Sequence, residues 1–244
     1  MKIVHTADYR SMSLKSSRIL IESMRKKPEA LLCIATGGSP EGMYAEVTKS
    51  VAAEPGLTSG IQLLALDEWY GIPSDHPATC SSFIRQNVSV PWFVSDDRLE
   101  LFDSAAGNPE SECRRINNYL KKNGPIDLCI LGIGRNGHLG LNEPGSVKND
   151  HTRVIELTKS STLHPMLKDT GAVASRGMSL GIADILNSRE IVILITGSGK
   201  IDAYNAFMKK ANPEEWPASF LWEHNNVSCI VDDSCLIKKS PSFS

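Results

Sequence analysis

The sequence predicts an α/β protein in one domain, with a mostly parallel sheet that carries helices on both faces. Three observations predict it. Short apolar runs rich in Val, Ile and Leu recur along the chain, as in strands buried on both faces. Segments with helical patterning lie between them, the spacing of βαβ units. A length of 244 residues, 41% of them hydrophobic and 22% charged, suits one α/β domain over 1–244 and leaves little room for a second.

Taken in order, a helical pattern covers 13–26 and leads to the first strand at 30–35. A helix over 40–51 follows, opened by Ser39 as N-cap and Pro40 at the first helical position, each suited to its place. The second strand is 61–66. A helix at 109–122 leads to a strand at 127–132, and a helix at 180–188 leads to a strand at 191–196. A helix at 199–210 and a fifth run at 227–231 complete the alternation. Right-handed crossovers then place helices on both faces of the sheet. No internal repeat, low-complexity tract or linker interrupts it.

Composition excludes several classes of function. The formal net charge is −2, from 26 basic and 28 acidic residues, with no basic block to read nucleic acid or an anionic membrane. The Lys238-Lys239 pair is too short to count. No apolar run approaches the roughly 20 residues of a membrane span, and the N-terminus lacks the apolar core of a signal peptide. The six cysteines (Cys33, Cys80, Cys113, Cys129, Cys229, Cys235) form no C-x-x-C pair. Cys33 and Cys129 sit inside apolar runs, as buried reduced thiols do. These readings predict a cytoplasmic protein, in which the triplets Asn87-Val88-Ser89 and Asn226-Val227-Ser228 carry no meaning as glycosylation sites.

Open parallel sheets bind ligands beyond the carboxyl ends of their strands. A polar, Gly-rich segment follows each of the first four predicted strands. Thr36-Gly37-Gly38-Ser39-Pro40 combines close backbone approach with a helix start, the makings of an anion site. Thr196-Gly197-Ser198-Gly199-Lys200 resembles the tail of a nucleotide-binding loop. It lacks the first glycine, with Leu194 in that place, and the Ser/Thr after the lysine, with Ile201 there. A lysine at a glycine-flanked helix start still suits a single phosphate. Gly132-Ile133-Gly134-Arg135-Asn136-Gly137 matches G-x-G-x-x-G literally. A dinucleotide fingerprint must open a helix, however, and His138-Leu139-Gly140-Leu141-Asn142-Glu143-Pro144-Gly145 reads as a turn.

That turn reads instead as a catalytic loop. His138 and Glu143 are titratable groups on one Gly-rich segment, with Asn136 beside them, and a carboxylate near an imidazole fixes its tautomer. In Leu66-Asp67-Glu68-Trp69 the two carboxylates of an extended chain point opposite ways. One faces the site and the other supports it; spacing leaves open which.

The segment from Asp127 to Gly145, together with Leu66-Asp67-Glu68 and Thr36–Pro40, resembles the glucosamine/galactosamine-6-phosphate isomerase (deaminase) family. The resemblance runs from about Ala30 to Val231 and is most specific in Gly-His-x-x-x-Asn-Glu-Pro-Gly. It implies a Rossmann-like three-layer α/β/α fold and conversion of a hexosamine 6-phosphate to a ketose 6-phosphate and ammonia. Asp67 would move the C2 proton to C1. His138 would open the ring and help the amine leave, oriented by Glu143 and Asn136. Thr36, Gly37, Gly38, Ser39 and Lys200 would hold the 6-phosphate, and Glu68 would belong to the substrate-binding set. No metal and no organic cofactor is implied, and homo-oligomers are common in the family.

The sequence departs from the family at two places. Asn136 stands where many members have Asp, so it is assigned an orienting role. Around 162–165, where glucosamine-6-phosphate enzymes carry a phosphate-binding arginine, it has His164 and no arginine; His164 or Arg176 would substitute for the missing side chain. The stretch Leu163–Lys168, Trp69, and Pro217–Trp222 look closer to the galactosamine-6-phosphate branch, with tagatose 6-phosphate as product. Glucosamine-6-phosphate deamination is the alternative. The related 6-phosphogluconolactonases carry Asp-Glu-Arg where Trp69 stands here and lack the Asn-Glu-Pro. A sugar-phosphate sensor would need a DNA-binding segment, and only one convincing helix precedes Ala30.

Overall fold

The computed structural model describes residues 1–158 and 161–236; Lys238 and Lys239 lie outside them. The elements in chain order are β1 (Lys2–Thr6), α1 (Tyr9–Lys26), β2 (Leu31–Ile34), α2 (Gly38–Ala53), β3 (Gln62–Ala65), β4 (Asp67–Tyr70) and α3 (Cys80–Ile84). They continue through β5 (Leu99–Glu100), α4 (Pro109–Asn123), β6 (Leu128–Gly132), β7 (Arg153–Glu156), α5 (Pro165–Lys168) and β8 (Arg176–Ser179). The last are α6 (Ile182–Leu186), β9 (Glu190–Ile195), α7 (Ile201–Met208) and β10 (Val227–Asp232).

Seven strands form one parallel sheet in the order β1-β10-β9-β6-β2-β3-β5. β2, β6, β9 and β10 are buried along almost their whole length, which is why their apolar runs are continuous rather than alternating. This is the mostly parallel α/β sheet with flanking helices that the sequence predicts. Two features lie beyond that expectation. β1 pairs in parallel with β10, but as an edge strand it is half-buried and carries Lys2, His5 and Thr6, so no apolar run marks it. A second sheet, antiparallel and in the order β4-β8-β7, stands beside the first. Its strands are four residues each and mix charged with apolar residues.

α1 shows how the sequence positions the site. Asp8 caps it by accepting from Ser11 N at 2.7 Å, so the helix starts four residues before the predicted 13. Met12, Ser16, Leu20 and Met24 recur at helical spacing and are buried. α1 packs on α2 through small groups: a Cβ at Gly42 would lie 2.4 Å from Ser13 Oγ and 2.9 Å from the Tyr9 ring. The Tyr9 hydroxyl donates to Gly38 O and accepts from Gly42 N, both at 2.7 Å. The first turn of α2 is thereby fixed against α1.

The chain runs outward from β2 through β3 to β5, then returns to β6 on the other side of β2. The order reverses between β2 and β6, the place where open α/β sheets bind ligands. The segments after β9, β6, β2 and β3 therefore stand side by side at one edge.

Candidate active site

Asp67 sits where the chain passes from the parallel sheet to the antiparallel one. Leu66 N donates to Ile34 O at 3.1 Å, and Leu66 O accepts from Leu180 N at 2.9 Å. The half-buried Asp67 carboxylate accepts from the Cys80 thiol, Sγ to Oδ1 3.8 Å. Burial pushes the Asp67 carboxyl up and the neighbouring Glu68 charge adds to it; the Cys80 thiol opposes them, and the outcome is about 7. That suits a base working near neutral pH.

Glu68 points the other way and is fully buried. Its carboxylate accepts from Trp69 N at 2.9 Å, Cys80 N at 2.8 Å, and Ser81 N and Oγ at 2.8 and 2.7 Å. Four donors saturate it, so the expectation that Glu68 touches substrate gives way to a support role at the start of α3. Of the two carboxylates, Asp67 is the one that retains a solvent opening.

The loop after β6 is a turn, as its sequence implies. Gly134 N donates to His138 O at 2.9 Å, and Leu139 and Asn142 form an isolated antiparallel bridge. A Cβ at Gly134 would meet the His138 ring at 2.4 Å, so this glycine makes room for the imidazole rather than for a pyrophosphate. Gly140, at φ +57°, brings the backbone against Asp67; a Cβ there would be 3.3 Å from Asp67 Oδ2. Asp67 and the histidine loop are thereby joined.

Asn136, His138 and Glu143 converge. Asn136 Nδ2 donates to Glu143 Oε2 at 2.6 Å, and Asn136 Oδ1 accepts from His138 N at 3.3 Å. His138 Nδ1 stands 3.6 Å from Glu143 Oε1. Two residues invisible to sequence reading complete the set: Ser161 Oγ donates to Glu143 Oε1, and Thr158 Oγ1 does so at 3.3 Å. Burial pushes Glu143 up, but the His138, Ser161 and Asn136 interactions outweigh it and hold the carboxyl at about 2. Glu143 is therefore a fixed negative charge behind the imidazole.

The anion side of the site is built from the neighbouring strand ends. Gly37, at φ +91°, and not Ser39, is the N-cap of α2 and gives it no side-chain cap, so first-turn N–H groups are left without a capping acceptor, as at an anion site. Ser39 abuts Gly132, whose Cβ position is 3.6 Å from Ser39 Oγ. The Thr36 hydroxyl is turned to Cys80 Sγ at 3.4 Å. His164 lies over Gly37, its Cε1 and Nε2 3.9 Å from that Cβ position, and against Trp69 with ring centroids 5.6 Å apart. Burial, His138 and Lys200 lower His164 to about 4, so its imidazole is neutral at pH 7. Lys200 Nζ donates to Ile133 O at 2.5 Å. Burial and the nearby Arg135 lower it to about 8.

Arg176 is not brought to this set. It pairs with Tyr70 while Asp67 pairs with Ser179, at the opposite end of the β4–β8 ladder, and its guanidinium lies 4.8 Å from the Tyr70 ring centroid. Two surface depressions of about 330 and 240 Å³ flank α1. The second lies at the amino ends of β6 and β9, where Asp127 is paired with Lys27 and Arg189. Among the described residues, no cluster of His, Cys, Asp or Glu is set to hold a metal ion, and no helix is long and apolar enough to cross a membrane.

The family described as glucosamine-6-phosphate isomerases/6-phosphogluconolactonase matches residues 9–230. The chain belongs to this family. It is an enzyme of the isomerase/deaminase class. Among its relatives is the Escherichia coli (strain K12) protein named "Putative deaminase AgaI", 38% identical over 92% of this chain and 89% of its own. The glucosamine-6-phosphate deaminase of Shouchella clausii (strain KSM-K16) is 32% identical over 96% and 95%. In three dimensions the chain is similar to a monomeric glucosamine-6-phosphate deaminase of the NagB superfamily, with a TM-score of 0.92 and 30% identity, covering 97% of this chain and 100% of that one. The Rossmann-like family fold is thus the fold of this protein.

Proposed function

We propose that the protein is a cytoplasmic isomerising deaminase of a hexosamine 6-phosphate, forming a ketose 6-phosphate and ammonia. One observation carries the reading: a carboxyl raised to about 7 at Asp67 shares a loop contact with a histidine backed by a permanent carboxylate at Glu143. Two titratable environments pushed in opposite directions are the mark of divided acid and base roles.

In this reading His138 takes the proton of the C1 hydroxyl and returns one to the ring oxygen, opening the pyranose. The aldehyde so formed acidifies the C2 hydrogen. Asp67, ionised, removes that proton as the C1 oxygen takes one from the substrate's ammonium group, and then delivers it to C1, leaving a C2 iminium. Water adds to C2, and the amine leaves as ammonia with a proton from His138. Glu143 and Asn136 hold the imidazole, while the 36–39 loop and Lys200 take the 6-phosphate. Trp69, which stands where the lactonases carry arginine, argues against lactone hydrolysis, a reaction that has no use for a C2 base.

The substrate favoured is galactosamine 6-phosphate, giving tagatose 6-phosphate, on the strength of Trp69, the Leu163–Lys168 stretch and Pro217–Trp222. The glucosamine epimer is the second reading, supported by the names of relatives. Ammonia release from each hexosamine 6-phosphate, with Asp67→Ala as control, tests both. Ammonia from the galactosamine compound alone is the expected result. Release from the glucosamine compound alone would keep the chemistry and replace the substrate, and release from neither above the control would overturn the deaminase reading.

A further inference from the structure

Arg135 is a charged side chain that the chemistry above does not use. It lies within the loop after β6, between Gly134 and Asn136, and its guanidinium rests over the turn after β9. A Cβ at Gly199 would meet Arg135 Nε at 3.1 Å and Cδ and Cζ at 3.5 Å. Gly199, at φ +80°, therefore serves both the turn and the close approach of the arginine. Arg135 is exposed and has no hydrogen-bond or ion-pair partner among the described residues.

The next residue along that turn is Lys200, tied to the Ile133 carbonyl. Arg135 acts on it as a like charge; the Cys235 thiol opposes this weakly, and no carboxylate takes part. Two cations on neighbouring loops, close enough for one to act on the other, repel, and a bound anion relieves that cost. A phosphate monoester carries about −1.5 to −2 at pH 7, so Lys200 alone leaves much of it uncompensated. His164, which lies over Gly37, is neutral at that pH and supplies no charge.

We propose that Arg135 is a phosphate-binding residue, which with Lys200 provides the two positive charges that hold the substrate's 6-phosphate against the 36–39 loop. The inference rests on the hexosamine 6-phosphate reading of the site. It fills the place left by the arginine that is absent around 162–165, and it does so from a different loop. The 133–138 segment lies between the 36–39 and 197–200 segments, because β6 lies between β2 and β9. From there a planar guanidinium can offer two parallel N–H donors to a phosphate.

The test compares wild type, Arg135→Ala and Arg135→Lys in two measurements: ammonia release kinetics, and calorimetric titration with inorganic phosphate, which needs no turnover. Arg135→Ala is expected to weaken both the KM and the phosphate Kd roughly 10- to 100-fold, the size of one lost charge-assisted contact. The loss falls on KM rather than kcat. Arg135→Lys recovers part of it, keeping the charge without the fork. Unchanged phosphate affinity in Arg135→Ala would overturn the proposal. So would a fall in kcat at constant KM, the signature of an arginine that merely shapes the His138 loop. Should wild type release no ammonia while Arg135→Ala still loses phosphate binding, the anion site stands and the deaminase reading is what fails.

Discussion

At the scale of single residues, Asp67 and Glu68 are adjacent carboxylates with opposite fates, and alternation along β4 is the cause. Glu68 is saturated by donors from Trp69, Cys80 and Ser81, whereas Asp67 has one weak thiol donor. Folding therefore raises the Asp67 carboxyl to about 7, against about 3.9 in an unfolded chain. As pH rises through 4, the unfolded chain releases this proton while the folded protein keeps it until about 7. Asp67 thus lowers stability progressively between those values and uniformly above them. Asp67→Asn is expected to abolish at least 10²-fold of the activity, about the least a positioned base contributes. It is also expected to raise Tm at pH 8 while leaving it near wild type at pH 4. Thermal unfolding across that range checks this, and a Tm difference independent of pH would refute it. The alternation of the two carboxylates was legible in the sequence. Which of them faces in was not, because it depends on α3, twelve residues further on.

At the scale of elements, the histidine loop is a rigid turn whose glycines have separate reasons. Gly134 leaves no space for a Cβ beside the His138 ring, and Gly137 O accepts from Ala218 N at 2.7 Å while Trp216 covers its Cα face. Gly145 N donates to Glu214 O at 2.6 Å. The segment 212–218 therefore clamps both ends of the loop from outside. Gly134→Ala is expected to displace the imidazole and lower kcat at least tenfold, in the range of lost general acid–base action, with the far-ultraviolet circular dichroism unchanged. Wild-type kcat in that variant would show that the ring does not depend on this packing. The Gly-His and Asn-Glu-Pro-Gly motifs were readable because the loop's residues are local to one another. Thr158, Ser161 and Trp216 were not, since their link to Glu143 or Gly137 exists only across the fold and leaves no spacing in the chain. The same holds for Arg176, near His164 in sequence but turned onto Tyr70 by the β4–β8 register. Among strands, burial on both faces made β2, β3, β6, β9 and β10 legible, while β4, β7 and β8, of mixed composition, offered neither an apolar run nor a clean alternation.

For the molecule as a whole, the parallel sheet gathers one group from each of several strand ends, and two of them titrate in opposite senses near neutral pH. In the proposed reaction Asp67 must be ionised to accept a proton from carbon, which requires a pH above about 7. In the same proposal Lys200 must be charged to hold phosphate, which requires a pH below about 8. The groups acting on Asp67 are Glu68 and Cys80, and those acting on Lys200 are Arg135 and Cys235; the titrations of Asp67 and Lys200 themselves set the two limbs. The substrate phosphate ionises near pH 6, below both. Because kcat/KM reports the free enzyme, its pH profile is expected to be a narrow bell with limbs near 7 and 8. The alkaline limb of kcat is expected to be weaker, since bound phosphate holds the Lys200 proton. Lys200→Arg separates the two contributions, for arginine stays charged throughout: the alkaline limb of kcat/KM moves upward or disappears while the acidic limb stays. An alkaline limb unchanged in Lys200→Arg would mean that some group other than the lysine sets it, and that the strand end after β9 is not where the phosphate charge is met.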